Sequence, residues 1–312
     1  MTTTALTGHF DATKVPEAKK PNAGFDWGRL IRYGLLLLFL VIVLIPVYVL
    51  LVTSFKGVGD ADPSRAWLPP QEWTLENWKV ALLGSKSGEY GKIFPVLPAL
   101  GRTLAMVVPA AIISSFLGSM NGFVLARWRF PYANVVFTLI LFGMFIPYQA
   151  VMVPLYKIMI QMQSNWGLPS GIPTLALLHI IYGIPITTLI FRNYYQSVPQ
   201  ELMEASRVDG AGMIRTYVSV VLPISIPSFV VVLIWQFTSA WNDFLFASFF
   251  GGNAETQAPV TVTLNAIAHG SMMTNYGVSM AAALLASVPT LVVYIFLGKY
   301  FVGGLMSGSV KG

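Results

Sequence analysis

Residues 204–211 read Glu204-Ala205-Ser206-Arg207-Val208-Asp209-Gly210-Ala211, and Leu222-Pro223 follows eleven residues after Ala211. This charged stretch lies between two long uncharged runs, 158–191 and 216–242. Ser197-Val198-Pro199-Gln200 ahead of it reads as a helix start, with Ser197 as cap, Pro199 in the first turn and Gln200 closing a capping box. Glu201 and Glu204 then fall in the early turns, where a helix dipole favours negative charge. Gly210 and Gly212 end that helix. A second helix is expected from Met213, where Met213, Tyr217 and Val221 recur at four-residue spacing to make an apolar face. A charged helix, a glycine turn and a second helix between apolar segments form a handle for a soluble partner.

Composition explains what the handle is attached to. The chain has 312 residues, 55% hydrophobic and 10% charged, with mean hydropathy +0.67. Soluble domains carry roughly 25% charged residues, so this chain reads as a polytopic membrane protein, all α-helical and a single bundle. It contains no cysteine and three scattered histidines (His9, His179, His269). That removes disulfides, Cys-zinc sites and thiol nucleophiles, and argues against a metal centre. The net charge of +6 fits loop lysines and arginines better than nucleic-acid binding.

A span needs about 20 apolar residues. Uncharged runs put six spans near 33–55, 103–126, 130–156, 172–193, 221–246 and 278–301, after a polar tail over 1–30. The loop 197–222 joins the fourth and fifth. With six spans and the N-terminus inside, 12 of the 19 lysines and arginines lie inside and 7 outside. The bias favours both termini in the cytoplasm. Residues 56–96 then form an external segment. Pro69-Pro70 breaks it, Thr74 is expected to cap a helix, and Trp67, Trp73 and Trp78 suit an interface. An amphipathic surface helix is the simple reading there; a docking surface for an external partner is the sharper one.

Intramembrane ionisable residues are costly and mark function by default. Asp243 is the acidic residue in or near the membrane portion, beside Trp241 and Asn242. Together they offer a ring for stacking, an amide and a carboxylate, the groups that bind sugar hydroxyls and C–H faces. Asp243 could instead sit at the outer interface or cap a break in the fifth span. Tyr148, Met152 and Asn265 are further candidates for a substrate pathway. His179 reads as a packing residue, and Arg102 and Arg192 as span-end residues that snorkel.

The ordered stretch Glu204-Ala205, Asp209-Gly210-Ala211, Tyr217 and Leu222-Pro223 resembles the EAA loop of ABC-importer permeases. Ser206 stands where the second alanine is usual, and Tyr217 fills a slot that is often phenylalanine. Residues 69–78, Trp241-Asn242-Asp243-Phe244 and the tail 303–312 are similar to carbohydrate permeases, the last to the small maltose-permease subunit. The resemblance implies a six-span type I importer bundle in the cytoplasmic membrane of a bacterium or archaeon. It also implies a second homologous permease, two cytoplasmic ATPase subunits and an extracytoplasmic sugar-binding protein as partners. On that resemblance Glu201, Glu204, Ala205, Asp209, Gly210, Ala211 and Tyr217 form the ATPase-coupling element, and the tail near Gly304–Lys311 reaches between the ATPases.

The chain has no G-x-x-x-x-G-K-[ST] phosphate loop, so ATP and magnesium are expected on the partner ATPase and no cofactor on this chain. A membrane-embedded enzyme would need convergent catalytic groups, which the sequence does not supply. An ion-coupled carrier of a small polar solute is the remaining alternative. It would favour several buried acids and internal repeats, and neither is evident.

Overall fold

A computed structural model describes residues 27–128, 130–253, 255–269 and 275–307. The polar tail to residue 26, Arg129 and the last five residues of the tail motif lie outside them. The described residues are helical apart from turns, loops and one isolated bridge, Ser85 to Ile93. In chain order the α-helices are α1 (Trp27–Ser54), α2 (Glu76–Leu83), α3 (Val96–Arg127), α4 (Ala133–Phe145), α5 (Tyr148–Trp166), α6 (Ile172–Ser197) and α7 (Gln200–Val208). They continue as α8 (Met213–Thr216), α9 (Leu222–Ile224), α10 (Ile226–Trp241), α11 (Leu245–Phe250), α12 (Val260–His269) and α13 (Tyr276–Ser307).

Four helices are long and apolar enough to cross a membrane: α1, α3, α6 and α13 over Tyr276–Tyr300. Two further pairs qualify together but are bent, α4 with α5 by 98° and Met213–Ile224 with α10 by 76°. Counting each pair as one span gives up to six among the described residues. The apolar run over 130–156 is therefore not one straight helix. Pro147 lacks an N–H, and the residue before a proline avoids the helical region; Ile146 accordingly lies extended at φ −76°, ψ 117°.

The second bend has the same origin. Pro223 and Pro227 bracket Ser225, which leaves the helical region at φ −90°, ψ 2°. The missing donor of Pro223 loosens the ladder ahead of it, and Tyr217–Val221 winds as a π-turn.

The chain divides into two compact units, Met1–Val47 and Tyr48–Gly312. The described part of the first is a continuous apolar helix whose side chains are exposed, as suits lipid or a membrane partner. The second is built on α3 and α6, which run parallel and in close contact. Ser114, Gly118 and Gly122 recur every four residues, so α3 presents a strip of small residues. A Cβ on Gly118 would fall 2.1 Å from Thr187 Oγ1, and one on Gly122 2.7 Å from the Arg192 amide. Thr187 Oγ1 completes the contact by donating to Ser114 O at 3.0 Å. Arg127 closes the C-terminal end of the pair, its guanidinium donating to Tyr195 O and Val198 O. It thus adds a donor to carbonyls at the end of α6, where Tyr195 O otherwise takes only the Val198 amide at 3.3 Å.

At the Val96 end of α3, residues 55–95 fold into a cap. The Lys56 side chain is fully buried and its Nζ donates to Arg65 O at 2.5 Å. Asn77 Nδ2 donates to Ser54 O and Lys56 O at 3.0 and 2.6 Å, while Arg65 Nε meets Asp60 Oδ1 at 2.8 Å. Thr74 does not sit at the N-cap position, which falls on Leu75, but its Oγ1 still accepts from the Glu76 amide at 3.1 Å. Trp67 and Trp73 are exposed, whereas Trp78 packs inward, its ring 5.6 Å from Phe55. Arg102 does not snorkel: its Nε donates to Ala258 O at 2.8 Å. Arg192 lies 3.9 Å over the ring of Phe137.

Candidate functional site

Two sites emerge at different heights along α3 and α6. The first is the connection between α6 and α10. Ser197 does not cap α7: it is the last residue of α6, and its hydroxyl turns back to Tyr194 O at 2.7 Å. Val198 and Pro199 make the break, because Pro199 cannot donate and holds Val198 extended. Gln200 opens α7 and its amide donates to Glu204 Oε1 at 2.9 Å, one turn along.

The end of α7 is a Schellman turn. Ala211 N donates to Ser206 O at 2.9 Å and Gly210 N to Arg207 O at 3.0 Å. Gly210 takes φ +73° there, the left-handed conformation that glycine adopts without a side-chain penalty. No atom would touch a Cβ at this position, so the requirement for glycine is conformational rather than steric.

The two faces of α7 differ. Met203 and Ser206 are buried. Met203 joins an apolar cluster with Phe123 of α3 and Phe191 and Tyr195 of α6, and Ser206 Oγ lies 3.0 Å from Thr216 Oγ1 on α8. Glu201, Glu204, Ala205 and Asp209 face out. Beside them Val208 is 87% exposed and Ile214 75%, and Arg207 and Arg215 are exposed as well, so the surface mixes apolar side chains with charges of both signs. Tyr217 turns the other way: its ring lies 5.4 Å from that of Phe123 and its hydroxyl 2.9 Å from Ser119 Oγ. Six of the seven expected coupling residues thus lie at the exposed surface or in the turn, and Tyr217 is an anchor beneath it.

The second site is a cavity of about 420 Å³ between α6, α10 and α11. Tyr148, Asn242 and Asp243 line it, together with Tyr182, Gln236 and Ser239, which the sequence did not single out, and His179, expected there only as a packing residue. The Asp243 carboxylate receives the amides of Phe246 (3.4 Å) and Ala247 (3.1 Å), so it caps α11. Its Oδ2 also stands 3.5 Å from His179 Nε2. That imidazole nitrogen is buried and makes no hydrogen bond. Gln236 fixes the same corner, its Nε2 donating to His179 O at 3.0 Å.

The remaining expected pathway residues lie elsewhere. Trp241 is 3% exposed and donates from Nε1 to Ala286 O at 3.1 Å. Met152 is buried in the same core. Neither lines the cavity: Trp241 and Asn242 are consecutive and so project in different directions, and Met152 lies a turn further along α5 than Tyr148, within the core. Asn265 is exposed on α12, where its carbonyl lies 3.1 Å from His269 Nδ1. Asn242 lines the cavity but its amide donates to Thr238 O at 2.9 Å. No group of three or more His, Asp or Glu side chains fit to hold a metal occurs among the described residues.

Known proteins fit this arrangement. The family described as a binding-protein-dependent transport system inner membrane component matches residues 115–305, which include both sites. The chain belongs to that family. This permease is 35% identical to the xylose/arabinose import permease protein XacI of Haloferax volcanii, over 98% of its own length and 99% of that protein's. It is 32% identical to the melibiose/raffinose/stachyose import permease protein MelC of Bacillus subtilis, over 86% and 91%. In fold it is similar to a chain of a bacterial ABC transporter involved in import of the acidic polysaccharide alginate, with a TM-score of 0.71 at 19% identity over 88% of this permease and 96% of that chain. It is thus a multi-pass permease subunit of an ABC importer in the inner membrane.

Proposed function

We propose that this permease moves a carbohydrate into the cell as one half of a translocation pathway, driven by ATP hydrolysis on separate subunits. The observation that carries the reading is the built surface of α7 and its Schellman turn: charged and apolar outside, anchored by Met203, Ser206 and Tyr217 inside. Glu201, Glu204, Ala205, Asp209, Gly210 and Ala211 supply the docking element for a cytoplasmic ATPase, which carries ATP and magnesium. A carbohydrate cargo is supported by the sugar-importing relatives and by the tyrosines and polar side chains that line the cavity. The partners are a second permease, two ATPase subunits and an extracytoplasmic binding protein. The excess of basic residues on the coupling-loop side favours both termini in the cytoplasm.

The test is recovery of the tagged permease from native membranes in mild detergent, with mass spectrometry of what accompanies it. A second permease and an ATPase subunit should co-purify, and the ATPase should be lost in Glu204→Arg or Gly210→Trp while the second permease stays. Recovery of the chain alone under every mild condition would overturn the coupling assignment.

A further inference from the structure

The cavity between α6, α10 and α11 has a charge character that the function above does not specify. Its lining contains one carboxylate, Asp243, and no lysine or arginine. The Asp243 side chain is 10% exposed, and its partners are two backbone amides and the His179 imidazole. Around this carboxylate the cavity is lined by the Tyr148 and Tyr182 rings with their phenolic groups and by Ser239, and His179 Nε2, which faces Asp243 at 3.5 Å, is buried without a hydrogen bond. The tyrosine rings flank Phe246, with centroids 5.2 and 5.0 Å from it.

We propose that this cavity admits uncharged sugars and turns away sugars bearing a carboxylate or phosphate, with Asp243 as the discriminating group. The inference rests on the sugar path running through the cavity. A neutral sugar offers hydroxyls to the polar groups of Tyr148, Tyr182, Ser239 and His179 and a C–H face to the tyrosines. An acidic sugar must leave water beside a like charge, with no cation to replace its hydration. Neutral hydroxyls also suit the carboxylate itself, which accepts hydrogen bonds and donates none.

The experiment uses the assembled transporter, isolated with its ATPase and second permease and held in nanodiscs without the binding protein, so that only the membrane site selects. Saturation-transfer difference NMR at pH 7.5 compares glucose with glucuronate and galactose with galacturonate, pairs that differ by the carboxylate. The neutral member of a pair should bind at least tenfold more tightly than its uronate. Asp243→Asn should narrow the gap to under threefold. Ser239→Arg leaves the Asp243 cap of α11 intact and should narrow it as well, which guards against a folding defect in the first variant. A uronate that binds the unaltered transporter as tightly as its neutral twin would overturn the charge selection and leave the sugar path standing. No signal from any of the four sugars would overturn the sugar path, and the selection with it.

Discussion

The hydroxyl of Tyr217 lies 2.9 Å from Ser119 Oγ, across 98 positions of chain. Ser119 Oγ is also 2.6 Å from the Tyr195 hydroxyl, which reaches on to Ser225 Oγ at 3.2 Å. Four hydroxyls therefore tie the turn after α8 to α3, α6 and the start of α10. Under the proposed coupling, a load applied to the outer face of α7 would reach the spans through this chain and through Met203. Coupling through such a contiguous set of contacts needs mutational proof.

Removal of the Tyr217 hydroxyl isolates one link. Ser119 keeps Tyr195 as a partner, so no buried oxygen is orphaned, and Tyr217→Phe should cost about 1 kcal/mol of stability. Tyr217→Ala also removes the ring from beside Phe123 and should cost about 3 kcal/mol or more. Thermal unfolding of the purified assembly reads both. Sugar-stimulated ATP hydrolysis should fall far more in the alanine variant; equal loss in both would show that the hydroxyl alone transmits the load.

At Gly210 the demand is for φ +73° with open space around the Cβ position. Gly210→Asn should be tolerated, because asparagine visits the left-handed region readily. Gly210→Val should cost about 1–2 kcal/mol locally, unwind the Schellman turn and uncouple uptake while the chain still inserts. Uptake assays beside membrane quantification separate the two. Normal uptake with valine would remove this turn from the coupling element.

The α3–α6 seam makes the opposite prediction, one of steric closeness. Gly118→Leu must displace Thr187 and backbone behind it, so the permease should fail to assemble and be degraded. Gly143→Leu, where nothing lies within 4 Å, should accumulate normally. Immunoblots of membranes decide this; equal amounts of the two variants would show that the helices do not approach so closely in the bilayer.

Acid should loosen the cap over residues 55–95. The Gln71 backbone amide, then the neighbouring Arg65 and Lys56 charges, hold the Asp60 carboxyl below the ordinary carboxylate range against the opposing effect of burial. A carboxyl whose folded value is lowered stabilises the fold above its unfolded value and loses that contribution as pH falls through the folded one. The protection of the Gln71 amide, its exchange rate relative to the intrinsic rate at the same pH, should therefore fall below about pH 4, and Asp60→Asn should show low protection already at neutral pH. An exchange rate in the variant equal to that of the unaltered chain would sink the assignment.

Much of the architecture was legible because membrane helices announce themselves locally. A run such as Tyr33–Phe55 must satisfy its backbone internally and meet lipid with its side chains, and both demands are written in consecutive residues. The coupling loop was legible for a similar reason, since Gly210 and the acidic first turn are local requirements of a capped helix. Ser197 was misread because a serine before a proline looks the same at the end of one helix as at the start of the next.

The sequence by itself determined the class, the succession of apolar runs, the family likeness and the position of the handle. Tertiary structure alone decided that the third run bends by 98°, that Trp241 and Met152 turn into the core while Tyr148 and Asp243 face the cavity, and that His179 meets Asp243. The reason is physical. Hydropathy and helix caps depend on neighbours within a turn or two of chain. Pro147 marks where the bend falls, but its angle and the meeting of residues 179 and 243 depend on how separate helices pack, as where a Cβ on Gly183 would fall 2.3 Å from Gln236 Nε2, and that closeness exists only once the helices have packed.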